Sequence, residues 1–255
     1  MQTLTSFAAP LVALFPIAAG LWCRRLSAGA AGRLATRAAG ASLAVLAALA
    51  TAALFTGGGL DGGWFALDGP ALVMAVLVSF VGTMVLRFSR NHLAGDPAQS
   101  RFFSWMCLTL GAVLLMVTSG HLAMLFAAWV TTSLCLHRLL LHRPERAGAV
   151  FSARKKYVFS RIGDACLLGA LVILFRGHGT LWIDDLTASI AAGNTAGLTS
   201  AAFLIAFAAA LKSAQFPFHS WLPDTMETPT PVSAFMHAGI INAGGFLVIR
   251  MAPVF

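Results

Sequence analysis

The sequence predicts an all-α polytopic membrane protein of about eight transmembrane helices, the seventh broken near Lys212–Pro217. Three observations predict it. Hydrophobic residues make up 58% of the chain and charged residues only 10%, whereas a soluble domain is nearer a quarter charged. Apolar runs long enough to cross ~30 Å of hydrocarbon recur along the whole length. Basic residues gather in alternate short loops between those runs. A soluble helical protein is excluded, because its surface would have almost nothing polar to show water.

In chain order the runs fall at about 6–22, 38–56, 69–88, 102–119, 121–141, 158–175, 197–217 and 232–252. The first, in "MQTLTSFAAPLVALFPIAAGLWCRRL", has no basic residue ahead of it and Arg24 and Arg25 just after. That is the reverse of a cleaved signal peptide, so a retained span with its N-terminus outside is expected. The fourth and fifth runs are separated only by "SGH", a tight turn that Gly120 favours. Between the sixth and seventh, "LTASIAAG" reads as a short surface helix with no evident function. The first three runs and the loop after them, 1–101, form one unit, and 102–255 the other.

Charge orients these spans. The loops after runs one, three and five carry fourteen of the seventeen basic residues, among them Arg33, Arg37, Arg87, Arg90, Arg138, Arg143, Arg154, Lys155 and Lys156. The loops between hold Asp61, Asp68, Asp184 and Asp185 but only Arg176. By the positive-inside rule the basic loops are cytoplasmic and the N-terminus is periplasmic. The net charge of +8 therefore reflects topology, and nucleic acid is not an expected partner. Trp22, Trp64, Trp105, Trp182 and Trp221 fall near span ends, as an interfacial belt would. Cys23, Cys107, Cys135 and Cys166 lie apart with no CxxC pair, so neither a disulfide framework nor a zinc site is predicted. Cys135, His137 and His142 have no metal-ligand spacing either.

Ionisable groups within the spans carry the functional question. Lys212 sits in an apolar run, where a central lysine costs about 2.5–3.5 kcal/mol. Pro217 follows and has no N–H for the carbonyl of Ser213. Non-helical backbone at membrane depth is tolerated only where protein or water covers it, so a broken helix beside a buried amine has the form of an ion path. Burial disfavours the charged form of an amine, so an amine held there can gain and lose a proton at ordinary pH. Asp164 and His237 are the other in-span groups expected. Asp164 shares a helix face with Arg161 in "SRIGD", and an ion pair and a proton relay both fit. His237 lies among small residues in "SAFMHAGIINAGG", and its ordinary titration range suits proton transfer or a packing hydrogen bond. Ser213 and His219 flank the break as supporting residues, and Arg250 is expected to snorkel to the surface.

The stretch "LKSAQFPFHSWLPDTMETPTPVSAFMHAGIINAGGFLVIR" resembles the signature of antiporter-like membrane subunits, those of respiratory complex I (chain 5, or L, type) and of Mrp sodium/proton antiporters. "FALDGPALVMAVLVSFVGTMVLRFSRNHL" is similar to the same family's third span. The resemblance implies that Lys212 and His237 carry protons and that Arg161 and Asp164 form the sixth-span pair. It also implies a fifth-span glutamate facing the lysine, but here "FAAWVTTSLCLHRLLLHRPERAGAVFSARKKYVFSRIGD" places Val130 there. Asp164 is then the candidate partner charge.

That stretch and "FSRNHLAGDPAQSRFF" most resemble the DabB branch, membrane subunits of energy-coupled inorganic carbon pumps. This resemblance implies a transporter subunit without cofactor of its own, conducting H+ (or Na+) in a bacterial inner membrane. It implies a soluble DabA-type partner, similar to a zinc carbonic anhydrase, that captures CO2 as bicarbonate. A proton-pumping subunit of NADH:quinone oxidoreductase and an Mrp-type antiporter subunit are the alternatives. Full-length relatives have two inverted repeats, and 102–255 corresponds to the first, with the second absent.

Overall fold

The computed structural model describes residues 2–56 and 60–255. Its elements run α1 (Gln2–Cys23), α2 (Ala28–Thr56), a hairpin of β1 (Leu60–Gly62) and β2 (Phe65–Leu67), then α3 (Gly69–His92), α4 (Gln99–Val117) and α5 (Leu122–Leu140). They continue as α6 (Ala147–His178), α7 (Ile183–Ala191), α8 (Leu198–Lys212), α9 (Thr230–Phe235) and α10 (Asn242–Arg250). Among the described residues, six helices are long and apolar enough to cross a membrane, and Ala8–Cys23 and Leu198–Lys212 are shorter apolar helices. The eight match the eight expected runs. The protein is a multi-pass membrane protein.

The helices begin and end where local chemistry dictates. Asp68 caps α3 by accepting from the Ala71 N–H at 2.9 Å, and Pro70 in the first turn has no N–H to orphan. His121 does the same for α5 through Nδ1 and the Ala123 N–H, at 3.2 Å. α6 ends on Gly179 in the left-handed conformation (φ 70°), where glycine pays no steric penalty. The tight α4–α5 turn does need Gly120: a Cβ there would stand 2.2 Å from the Gly63 carbonyl oxygen. α7 is the short helix expected between runs six and seven. The β1–β2 hairpin is a small departure from an all-helical chain, pairing antiparallel across the α2–α3 connection. The Asp61 side chain lies outside the described residues.

α4 is the hub, packed by α1, α2, α3 and α5, while α6 packs on α5 and α8, and α8 on α10. Phe102, Phe103, Met106, Leu110 and Leu114 of α4 are buried, whereas Val73, Phe80 and Phe203 point outward, the side that acyl chains would cover.

Three expectations need correction. α6 begins at Ala147 rather than near 158, so Lys156 is not a loop residue. It lies on the buried stripe with Ala149, Ser152, Ala153, Gly163 and Asp164, at helical spacing. Arg250 does not snorkel. It is buried and pairs with Asp68, donating also to the Ser119 carbonyl at 3.1 Å, because the α3 cap supplies a carboxylate beside the end of α10. Trp221 is 2% exposed rather than interfacial, and its indole N–H donates to the Leu211 carbonyl at 3.3 Å.

Candidate functional site

The site is built on the end of α8. The Ser213 N–H closes the helix onto the Ala209 carbonyl at 2.9 Å, Ala214 turns left-handed at φ 51°, and Pro217 follows. The chain then runs through 3-10 turns at Phe218–Trp221 and Pro223–Glu227 before α9. Backbone groups released by the break find partners. The Trp221 indole takes up the Leu211 carbonyl, and the Ser213 hydroxyl donates to the Ile241 carbonyl at 2.6 Å. That last bond ties the break to the eighth span, Thr230–Arg250, in which α9 and α10 are joined by a π-helical turn at Met236–Ile240. The close approach depends on Gly244, where a Cβ would lie 2.3 Å from the Ser213 hydroxyl oxygen and 2.4 Å from the Ala209 carbonyl oxygen.

Lys212 is the last helical residue of α8, where the carbonyl end of the helix dipole favours a cation. Its side chain is 6% exposed and turns into the protein. Nζ donates to the Ser133 hydroxyl at 2.7 Å and the Trp129 carbonyl at 3.2 Å, and it lies 4.3 Å from the centre of the Trp129 ring. All its direct partners are neutral. Val130, next to Trp129, is half-buried against the apolar core and supplies no charge.

Of the residues singled out in the sequence, the fold gathers some and separates others. Asp164 is buried, and its direct partner is Arg161 at 2.6 Å. Its charge attracts Lys212, whereas that of Arg161 repels it. Ser213 and Pro217 shape the break. His219 is exposed and stacks on Phe216 with ring centres 5.9 Å apart. His237 sits on the π-helical turn with its ring exposed and no direct bond to Lys212.

Sequence reading missed Lys156. It is 2% exposed, and its Nζ donates to the Ser133 carbonyl at 3.0 Å, so it reaches the same serine that holds Lys212. The available signal was its helical register with Asp164. Its neighbour Lys155 behaves as an ordinary basic-face residue, paired with Asp224 at 2.8 Å. On that same face, His142 and Asp96 lie 3.1 Å apart. Partial burial opposes the Asp96 charge, but the Ala98 N–H, His142 and Arg143 together hold its carboxyl below the usual range.

This geometry can hold a proton on an amine out of contact with bulk water and next to a second amine. Residues 119–255 match the family described as NADH:quinone oxidoreductase/Mrp antiporter, transmembrane, and residues 64–103 match the NADH-ubiquinone oxidoreductase (complex I) chain 5 N-terminus. The chain is 43% identical over 200 residues to the "Probable inorganic carbon transporter subunit DabB" of Hydrogenovibrio crunogenus, covering 76% of this chain and 38% of that protein. It is 35% identical over 193 residues to NADH-quinone oxidoreductase subunit L of Mycobacterium tuberculosis, covering 74% of this chain and 30% of the relative. A solved Mrp complex from Dietzia superposes with a TM-score of 0.78 at 26% identity, over 98% of this chain and 28% of the matched one. The chain thus spans about a third of the length of the curated relatives it matches, 38% and 30% of these two.

Proposed function

The chain belongs to the NADH:quinone oxidoreductase/Mrp antiporter membrane family, and from that premise we propose that it is the proton-conducting membrane subunit of an energy-coupled inorganic carbon uptake complex. The observation that carries the proposal is Lys212: a buried amine at the end of a broken helix, bonded only to neutral oxygens. A proton arriving there moves on by way of His237 and bound water. Each charge that crosses releases about 2.3 kcal/mol per 100 mV, and a soluble zinc subunit of DabA type uses that energy to capture CO2 as bicarbonate. The similarity to DabB from Hydrogenovibrio crunogenus supports this partner over the redox machinery of complex I. In this proposal the membrane is the bacterial inner membrane, with the basic loops cytoplasmic and the N-terminus periplasmic.

A second reading, a pumping subunit of NADH:quinone oxidoreductase or an Mrp antiporter, draws on the subunit L relative and the Mrp superposition. Valine at position 130 counts against it, since a lysine–glutamate pair has no glutamate here. The test is growth in air of cells lacking carbonic anhydrase, which express the complete gene with that of its soluble partner. Growth is expected with the parent and lost with Lys212→Ala. Growth with Lys212→Ala equal to the parent would overturn the role of Lys212. A double-mutant cycle on Asp164 and Lys212, read as uptake rate, measures whether the carboxylate acts on the amine.

A further inference from the structure

We propose that Lys156 is a second proton-binding amine, exchanging its proton with Lys212 across Ser133 and linking Lys212 to the basic-loop face. This rests on the proton-carrying role of Lys212. Lys156 is more deeply buried than Lys212, 2% against 6% exposed, and its direct partner is again a neutral oxygen. Both amines bind the same wall of α5. Lys212 takes the Trp129 carbonyl and the Ser133 hydroxyl, and Lys156 takes the Ser133 carbonyl. Carbonyls four residues apart on a helix are separated by about 6 Å along its axis, so the amines stand about one turn apart.

The chain direction orders them. α5 runs toward the basic loop at Arg143–Arg146, and α6 returns from it. Lys156 binds the carbonyl one turn nearer that loop, ten residues into α6. It therefore lies between Lys212 and the basic face, and its flanking residues Arg154 and Lys155 already reach the surface.

The charges facing Lys156 make the pair exclusive. From its own helix come Asp164, which attracts it, and Arg161, which repels it; from α8 comes Lys212, which repels it. From α5 come Cys135, which attracts it as a thiolate, and His137, whose protonated ring it repels, beside the neutral Ser133. Asp164 is already engaged with Arg161. Two ammonium groups at this separation in a dry interior repel strongly, so one proton is held more easily than two and the pair titrates as a unit. Transfer conserves charge. As an N–H bond breaks on one ammonium, the Ser133 hydroxyl, bonded to Lys212, takes that proton. Its own O–H bond breaks, and that proton forms an N–H bond at the lone pair of the other amine, the hydroxyl having turned toward Lys156 on the neighbouring carbonyl.

The experiment uses inside-out vesicles containing the complete protein with its soluble partner, with proton flux read by a pH-sensitive dye between pH 6 and 9. Lys156→Gln should lower flux at least tenfold, and Lys156→Arg equally, because arginine keeps the charge but does not release its proton. A merely structural cation would be rescued by arginine, so full flux in Lys156→Arg overturns the proposal. Normal flux in Lys156→Gln, with Lys212→Ala inactive, overturns it while sparing Lys212. Full flux in Lys212→Ala instead sinks the role of Lys212 and the pair with it. Should the Lys156 variants fail to accumulate, nitrogen-15 lysine spectra of the wild type in nanodiscs decide. The two buried amines should titrate in linked steps, and independent single-step curves reject the pair.

Discussion

Two buried cationic sites in this protein have opposite designs. At the end of α10, Arg250 meets a carboxylate, Asp68, and a carbonyl, Ser119. In the interior, the hydrogen bonds of Lys212 and Lys156 go to neutral oxygens of Trp129 and Ser133. A guanidinium with a carboxylate partner is a permanent charge that locks the α3 cap to the last helix. An amine held by neutral oxygens has no partner that needs its charge, so it can lose and regain a proton without leaving an anion stranded. In the proposed mechanism the first site holds the fold and the second changes state.

This contrast can be broken experimentally. The largest effect expected is on function: Lys212→Met should abolish uptake-dependent growth yet leave the melting temperature in detergent unchanged or raised, because an apolar side chain of similar volume replaces a desolvated amine. Loss of folded protein in Lys212→Met would show that the lysine is structural after all. Arg250→Met should do the reverse, lowering stability by about 1.5–3 kcal/mol as a charged hydrogen-bond partner is lost. Unchanged melting of Arg250→Met would mean that the Asp68 pair holds nothing. Gly244→Ala should cost about 1–3 kcal/mol, since the new methyl group must displace the Ser213 hydroxyl or the Ala209 carbonyl. Its uptake should fall with the stability, as the α8 break is pushed off α10.

The smallest effect concerns the basic face. The Asp96 carboxyl is held below its unfolded-state range, so its contribution to stability is complete above that range and disappears as pH falls through the folded-state value. Melting followed from pH 6 down to pH 3 should lose a small increment that Asp96→Asn lacks. Parallel acid limbs in the two proteins would remove the Asp96–His142 contact from the account.

Much of the architecture was legible in the sequence. Eight apolar runs became eight apolar helices, and Lys212 followed by Pro217 located the break, because span length and proline chemistry are local properties. Register was harder. Lys156 sits in "SARKKYVFS", whose three consecutive basic residues read as a surface loop, and only the extension of α6 back to Ala147 turns one of the three inward. Arg250 looked like a snorkelling residue because Asp68, the partner that holds it, is 182 positions away in the chain. His237 had the right chemistry for a proton carrier, and the fold leaves its ring exposed without a direct bond to Lys212, so the proposed transfer between them runs through water.

Hydrophobic run length, alternate-loop charge and the position of one proline determined by themselves that this chain crosses a membrane repeatedly and interrupts a helix beside a lysine. They suffice because each acts within a single span, where the bilayer is the only partner that matters. Which cations are held fixed and which are left with neutral oxygens was decided by tertiary packing alone. That choice depends on what α5 and the α3 cap present across the bundle, and distances between helices are not encoded in any one segment.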